Sequence, residues 1–101
     1  MPFFCLHAFD RPGRLQDRLS LRESHRARLR QHDHPVAVRI GGPLLDDDSQ
    51  MIGTMLVIEA QSREDVEAYW AEDPYTTADL FASVSITAFN WGLGQPETMH
   101  G

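Results

Sequence analysis

The chain has 101 residues, 42% of them hydrophobic, and carries a formal charge of −6 without a single lysine. That length supports one modest core and leaves no room for two, and the ordinary apolar fraction argues against disorder. The acidic balance leaves no basic surplus to neutralise phosphates, so no nucleic-acid partner is expected. No run approaches the apolar length of a membrane span, and the opening residues lack the charged start and cleavage site of an export signal. A cytoplasmic protein with no membrane partner is the expectation. Cys5 is the single cysteine, which excludes an intramolecular disulfide and a paired-cysteine zinc site; it reads as a small buried hydrophobe.

Phe3 to Phe9 is an aromatic-rich strand whose two faces, Phe3, Cys5, His7, Phe9 and Phe4, Leu6, Ala8, are both largely apolar. The stretch from Asp10 to Gly13 turns the chain. A first helix is expected from Arg14 to about Asp33, with Leu15, Leu19, Leu21 and Leu29 on a broad apolar stripe. Arg14, Arg18, Arg22 and Arg26 recur every four residues on a neighbouring face, and Asp17 and Glu23 offer weak helical ion pairs. Pro35 ends the helix.

Val36 to Ile40 alternates as a strand with Val36, Val38 and Ile40 on one buried face. Gly41, Gly42 and Pro43 follow, where glycine permits a close backbone approach to a ligand; the aspartates from Asp46 to Asp48 read as a solvated loop. Gly53 to Ala60 is a third strand, apolar on both faces. Ser62 then caps a second helix with acids in its first turn. Its Val66, Tyr69, Trp70 and Asp73 follow the helical repeat, so an aspartate closes the apolar face before Pro74. A short helical turn through Tyr75 to Leu80 precedes a last strand from Val84 to Trp91. The expected division is a domain over 1–92 and an extended tail over 93–101.

The order β-α-β-β-α-β predicts an α+β, ferredoxin-like domain, with both helices on one face of a four-stranded antiparallel sheet. Strands one, three and four carry apolar residues on both sides, so the free sheet face would be a large hydrophobic patch. A homodimer packed through that sheet face is the economical way to cover it.

Within the first helix His25 lies four residues from both Leu21 and Leu29, which sets a titratable imidazole on the apolar stripe. Asp73 occupies the same kind of position on the second helix. An aspartate accepting the imidazole N–H satisfies both groups, fixes the tautomer and leaves the other nitrogen for a substrate. The competing reading is a buried pair that only tethers two helices, and the repeat alone does not separate them.

Arg18 to Arg22, then Ser24 to Leu29, then Gly41 to Pro43, then Glu72 to Tyr75 occur in an order and at spacings that resemble the YciI-like family over nearly the whole chain. The resemblance implies a ferredoxin-like subunit in a dimeric α+β barrel, with His25 and Asp73 as the active-site dyad. The family is similar in fold to muconolactone isomerases and cofactor-free monooxygenases, and includes a dehydrochlorinase acting on a chlorinated hydroxyquinol. It points to proton transfer or elimination on a small cyclic or aromatic substrate, without a cofactor. His25 would serve as general base or acid and Asp73 as its orienter. Arg22 would hold a carboxylate or enolate oxygen, against the plainer reading of a solvated arginine. Tyr75 would line the pocket or donate a hydrogen bond, against plain packing, while Gly42 and Pro43 would shape the wall.

Two rivals stand beside this reading. His32, Asp33 and His34, with His7 or the aspartate loop, offer donors for a divalent metal at unspecific spacing, and a polar helix end explains them more simply; no metal is expected. A non-catalytic dimeric module that binds a metabolite or assists a larger enzyme is the alternative function. No glycine-rich phosphate loop is present, so a bound nucleotide is not expected, whereas a cofactor-free oxygenase stays open.

Overall fold

The structure is a computed structural model that describes residues 2–31 and 34–96. Strands β1 (Phe3–Asp10), β2 (Ala37–Leu45), β3 (Met51–Glu59) and β4 (Phe81–Phe89) form one antiparallel sheet in the order β2-β3-β1-β4. Helices α1 (Leu15–Leu29), α2 (Arg63–Ala71) and the one-turn α3 (Pro74–Thr77) complete the chain. This is the expected ferredoxin-like α+β arrangement, with β3 inserted between the two strands that α1 connects.

The pairing Phe4↔Ile58, Leu6↔Leu56 and Leu6↔Ile86 sets one apolar layer on one face of the sheet. That layer is buried together with Val66, Tyr69 and Trp70 of α2 and with Tyr75, Leu80 and Phe81, forming the core. Alternation along a strand then puts Phe3, Cys5, His7 and Phe9 of β1, with Met55 and Val57 of β3, on the opposite face. Phe9 is 43% exposed and Phe89 of β4 is 38% exposed there. Trp91 packs edge-on against Phe3 at 5.4 Å and covers part of that face.

Helix α2 begins as its sequence dictates, with the Ser62 hydroxyl accepting from the Asp65 N–H at 3.2 Å. Helix α3 ends with the Asp79 N–H on the Thr76 carbonyl and the Leu80 N–H on the Tyr75 carbonyl, Asp79 having φ 56°. Such a paired closure through a left-handed residue stops a helix, and aspartate tolerates the conformation better than most side chains.

Several expectations are corrected. Helix α1 ends at Leu29, short of Asp33; residues 32 and 33 lie outside the described residues, as does the tail from 97 on. Leu19 is 43% exposed, and the buried residues of α1 are Arg18 and His25. Leu21 and Leu29 do pack against the core, as expected, but Leu19 points away from it and the deepest positions of the inward face go to Arg18 and His25, two polar side chains with buried partners. Strand β2 continues through Gly41, Gly42 and Pro43 to Leu45. Proline is tolerated there because β2 is an edge strand, where an absent N–H interrupts no second ladder. A Cβ on Gly41 would collide with the Leu56 side chain, which accounts for glycine at that point. A bulge around Arg39 sets Val38 opposite Ile58 and Ile40 opposite Val57, so the two alternate residues do not share a face. Strand β4 starts earlier than predicted, at Phe81, and stops before Trp91.

Candidate active site

Asp73 does not belong to α2, which ends at Ala71; it is the N-cap of α3. Proline at the first helical position is preset for helical φ and needs no N–H partner, so Asp73 and Pro74 together start a new helix. The Asp73 Oδ2 accepts from the Tyr75 N–H at 3.0 Å, which orients the carboxylate from its own chain. Asp73 is fully buried. His25 Nδ1 lies 3.0 Å from both of its oxygens. An ionised carboxylate only accepts, so this geometry calls for a hydrogen on Nδ1 and leaves Nε2 as the free ring nitrogen. His25 itself is 6% exposed and borders a cavity of about 360 Å³.

Aromatic rings fix the imidazole. Tyr75 stacks on it with centroids 4.2 Å apart and planes inclined by 23°, and Trp70 meets it edge-on at 6.0 Å. The Tyr75 ring also has the Arg18 guanidinium 4.6 Å from its centroid and Phe81 edge-on at 6.0 Å. Burial is the main cause that raises the Tyr75 phenol above its ordinary value, with Asp73 and Asp10 adding to it while Arg18 and Arg22 oppose it.

Arg18 is 2% exposed and is held by a carboxylate and a hydroxyl. Its Nε and Nη2 each donate to Asp10 at 2.7 Å, a forked pairing, and Nη2 also donates to Thr54 Oγ at 2.9 Å. The strand register shifts between Phe9 and Asp10, at the end of β1 where this carboxylate sits. On the other flank, Arg28 Nη1 is 3.7 Å from Asp73 Oδ1, and its guanidinium lies 4.0 Å from the Tyr69 ring centroid. Its terminal nitrogens are buried and form no hydrogen bond among the described residues. Tyr69 is likewise raised, chiefly by burial, with Arg28 opposing the shift.

The cavity lies between α1 and the edge strand β2. His25, Arg22, Tyr75, Gly42 and Pro43 all line it, and Asp73 sits behind His25. The structure thus brings the six residues singled out from the sequence to one place. Sequence reasoning missed Arg18, Asp10, Thr54 and Arg28. The signal for Arg18 was available, since it stands seven residues before His25 and so on the same helical face. Among the described residues no group of three or more histidine, cysteine, aspartate or glutamate side chains is placed to hold a metal, and His32 of the metal alternative lies outside them.

The fold and the site together define a ferredoxin-like α+β domain with an aspartate-backed histidine at the wall of a cavity. The chain belongs to the YCII-related domain family, whose model matches residues 1–90. It is 33% identical to 5-chloro-2-hydroxyhydroquinone dehydrochlorinase (TftG) from Burkholderia phenoliruptrix, solved in complex with 2,5-dihydroxybenzoquinone. That match covers 87% of this chain and 93% of the dehydrochlorinase, with a TM-score of 0.76. It is also 29% identical to protein YciI of Escherichia coli, over 85% of this chain and 94% of the relative. An antibiotic biosynthesis monooxygenase shares the fold at a TM-score of 0.56 and 12% identity, covering 89% of this chain and 97% of the monooxygenase. Among the described residues no helix is long and apolar enough to cross a membrane.

Proposed function

We propose that this protein is a cofactor-independent enzyme that moves a proton on a small cyclic or aromatic substrate, by elimination or isomerisation. The observation that carries the reading is the His25 Nδ1 held at 3.0 Å by the buried Asp73 while the same ring borders the cavity. Nε2 is then the base. It removes a proton from the substrate's ring or hydroxyl, and the electron pair left behind expels a leaving group or shifts a double bond. Asp73 stabilises the imidazolium that forms, and the protonated Nε2 returns its proton to solvent or to the rearranged product. The likeness to a dehydrochlorinase at 33% identity supports the elimination arm.

The open sheet face supports a homodimer in which two such faces pack together. Phe9 and Phe89 stand exposed on it at its two ends and Met55 is half-buried between them, while Val57 is already covered; exposed aromatics on an open sheet face mark an interaction surface. Sedimentation at several concentrations tests this, and Phe9→Glu is expected to shift the protein to monomer.

The catalytic reading is tested by assaying chlorinated hydroquinones for chloride release, and lactones for isomerisation, with wild type and with His25→Asn. Loss of turnover by about a hundredfold or more in a variant that still folds is expected for removal of a general base. Undiminished turnover in His25→Asn would overturn the role given to the dyad. Substrate binding without turnover by wild type would favour the metabolite-binding module instead.

A further inference from the structure

The chain is acidic overall, yet the cavity wall is not. Five arginines line it, Arg18, Arg22, Arg26, Arg30 and Arg39, and no aspartate or glutamate is among the lining residues. Two of the five are already neutralised: Arg18 by Asp10, and Arg39 by Glu59, to which both its Nε and Nη2 donate. The other three have no acidic partner among the described residues. Arg30 has a hydrogen bond to the Arg26 carbonyl at 3.2 Å, which holds it along the helix. Arg22 and Arg26 have no side-chain hydrogen bond or ion pair among the described residues. Arg22 is close enough to the Tyr75 phenol to favour its ionised form, which brings this charge next to the ring that stacks on His25.

A row of uncompensated cations on successive turns costs a helix stability through mutual repulsion. Elsewhere this chain pairs its arginines with acids, as Arg11 with Asp79, Arg14 with Asp17 and Arg63 with Glu67. The exceptions all line the cavity, whose wall also includes the apolar Leu29, Val38 and Met51. Focused positive potential beside an apolar wall suits a ligand with a hydrophobic ring and a negative group.

We infer that the natural ligand of this cavity is a ring compound bearing a carboxylate, which Arg22 and Arg26 hold while the ring lies towards His25 and Tyr75. A carboxylate is favoured over a phosphate. The donors here are guanidinium forks from the middle of a helix, and the fork matches a planar carboxylate. Phosphate sites usually draw instead on backbone N–H groups at a helix start, and α1 presents its side, not its start, to the cavity. The inference rests on the cavity being the substrate site and extends that reading from a ring to an anionic ring.

Titration calorimetry with 4-hydroxybenzoate and phenol tests it, since the two probes differ only by the carboxylate. The His25 and Tyr75 ring signals in NMR report whether a probe enters this cavity. Wild type is expected to bind 4-hydroxybenzoate about tenfold or more tightly than phenol, a margin of the size that charge-assisted hydrogen bonds provide. The margin should shrink as salt is raised. In the double variant Arg22→Gln/Arg26→Gln, with unchanged circular dichroism, the two probes should bind alike. Binding of 4-hydroxybenzoate no tighter than phenol overturns the inference. So does an undiminished margin in the double variant, or displacement of 4-hydroxybenzoate by an equal concentration of inorganic phosphate. These outcomes are independent of the dyad: inactivity of wild type with an arginine-dependent margin refutes catalysis alone, and turnover without the margin refutes the carboxylate alone.

Discussion

Replacing Asp73 separates the ways in which one carboxylate serves this fold. In Asp73→Ala the α3 cap is lost, at a cost of about 1 kcal/mol. The buried His25 N–H also loses its acceptor, which costs about 1–3 kcal/mol. Arg28, whose side chain is 12% exposed, keeps the Tyr69 ring but has only Glu72, at 4.0 Å, as an acidic partner among the described residues. The expected total is about 2–4 kcal/mol. Asp73→Asn behaves differently. One amide oxygen at the Oδ2 position still lies 3.0 Å from both the Tyr75 N–H and the His25 Nδ1, so cap and acceptor survive. What is lost is the charge, and the amide NH₂ then faces Arg28 and lies 3.0 Å from the His25 Nδ1–H, donor against donor; a loss of about 1 kcal/mol or somewhat more, still below that of Ala, is expected. Urea unfolding followed by tryptophan fluorescence measures both, the midpoints being comparable if the slopes agree. Nitrogen NMR of His25 should show the Nδ1–H tautomer in wild type. An Ala variant within about 0.5 kcal/mol of wild type would place Asp73 among neutral surface changes and refute the argument. Equal losses in Ala and Asn would refute the division between cap, acceptor and charge.

Other outcomes follow from the same packing. Arg18→Met strands the Asp10 carboxylate, whose side chain is 7% exposed, and should cost about 3–5 kcal/mol in urea unfolding; the double variant Arg18→Met/Asp10→Leu should recover much of it, and no recovery would mean that the pair does more than cancel its own charges. Gly53→Ala puts a Cβ 2.5 Å from the Ala8 carbonyl oxygen, a backbone contact that has to give way, for an expected loss of about 1–3 kcal/mol. Unchanged stability would show that β1 and β3 can separate without cost. The two tyrosines, Tyr69 and Tyr75, are both raised from 10.0 by burial. The folded protein keeps these protons where the unfolded chain releases them, so their contribution is complete below pH 10.0 and is lost as pH rises through the folded-state values. Ultraviolet difference absorbance should detect no phenolate with an ordinary midpoint before unfolding; one such titration would contradict the burial of that ring.

Much of this was legible because strand and helix periods differ. The doubly apolar β1 and β3 announced a sheet covered on one face with a second apolar face beyond it, and Ser62 announced α2. His25 was found because an imidazole among leucines needs a partner. Asp73 was expected to meet His25, and does, but from another element: its spacing from Val66 suited a longer α2, whereas Asp73 followed by Pro74 is itself the signature of a helix start. Arg18 was not legible from hydrophobic periodicity, which treats arginine as a surface residue. Only the third dimension supplies Asp10, Thr54 and the Tyr75 ring, and with them the means of burying a guanidinium. The extent of β2 escaped for a related reason, since Gly41, Gly42 and Pro43 look like a loop until the sheet order places them on an edge. That edge strand and the arginine row of α1 are the two walls of the cavity. Both deviate from ordinary secondary-structure preference, one by glycine and proline in a strand and the other by unpaired charge on a helix. Local rules give way where a site is built, and here the two departures face one another across the same cavity.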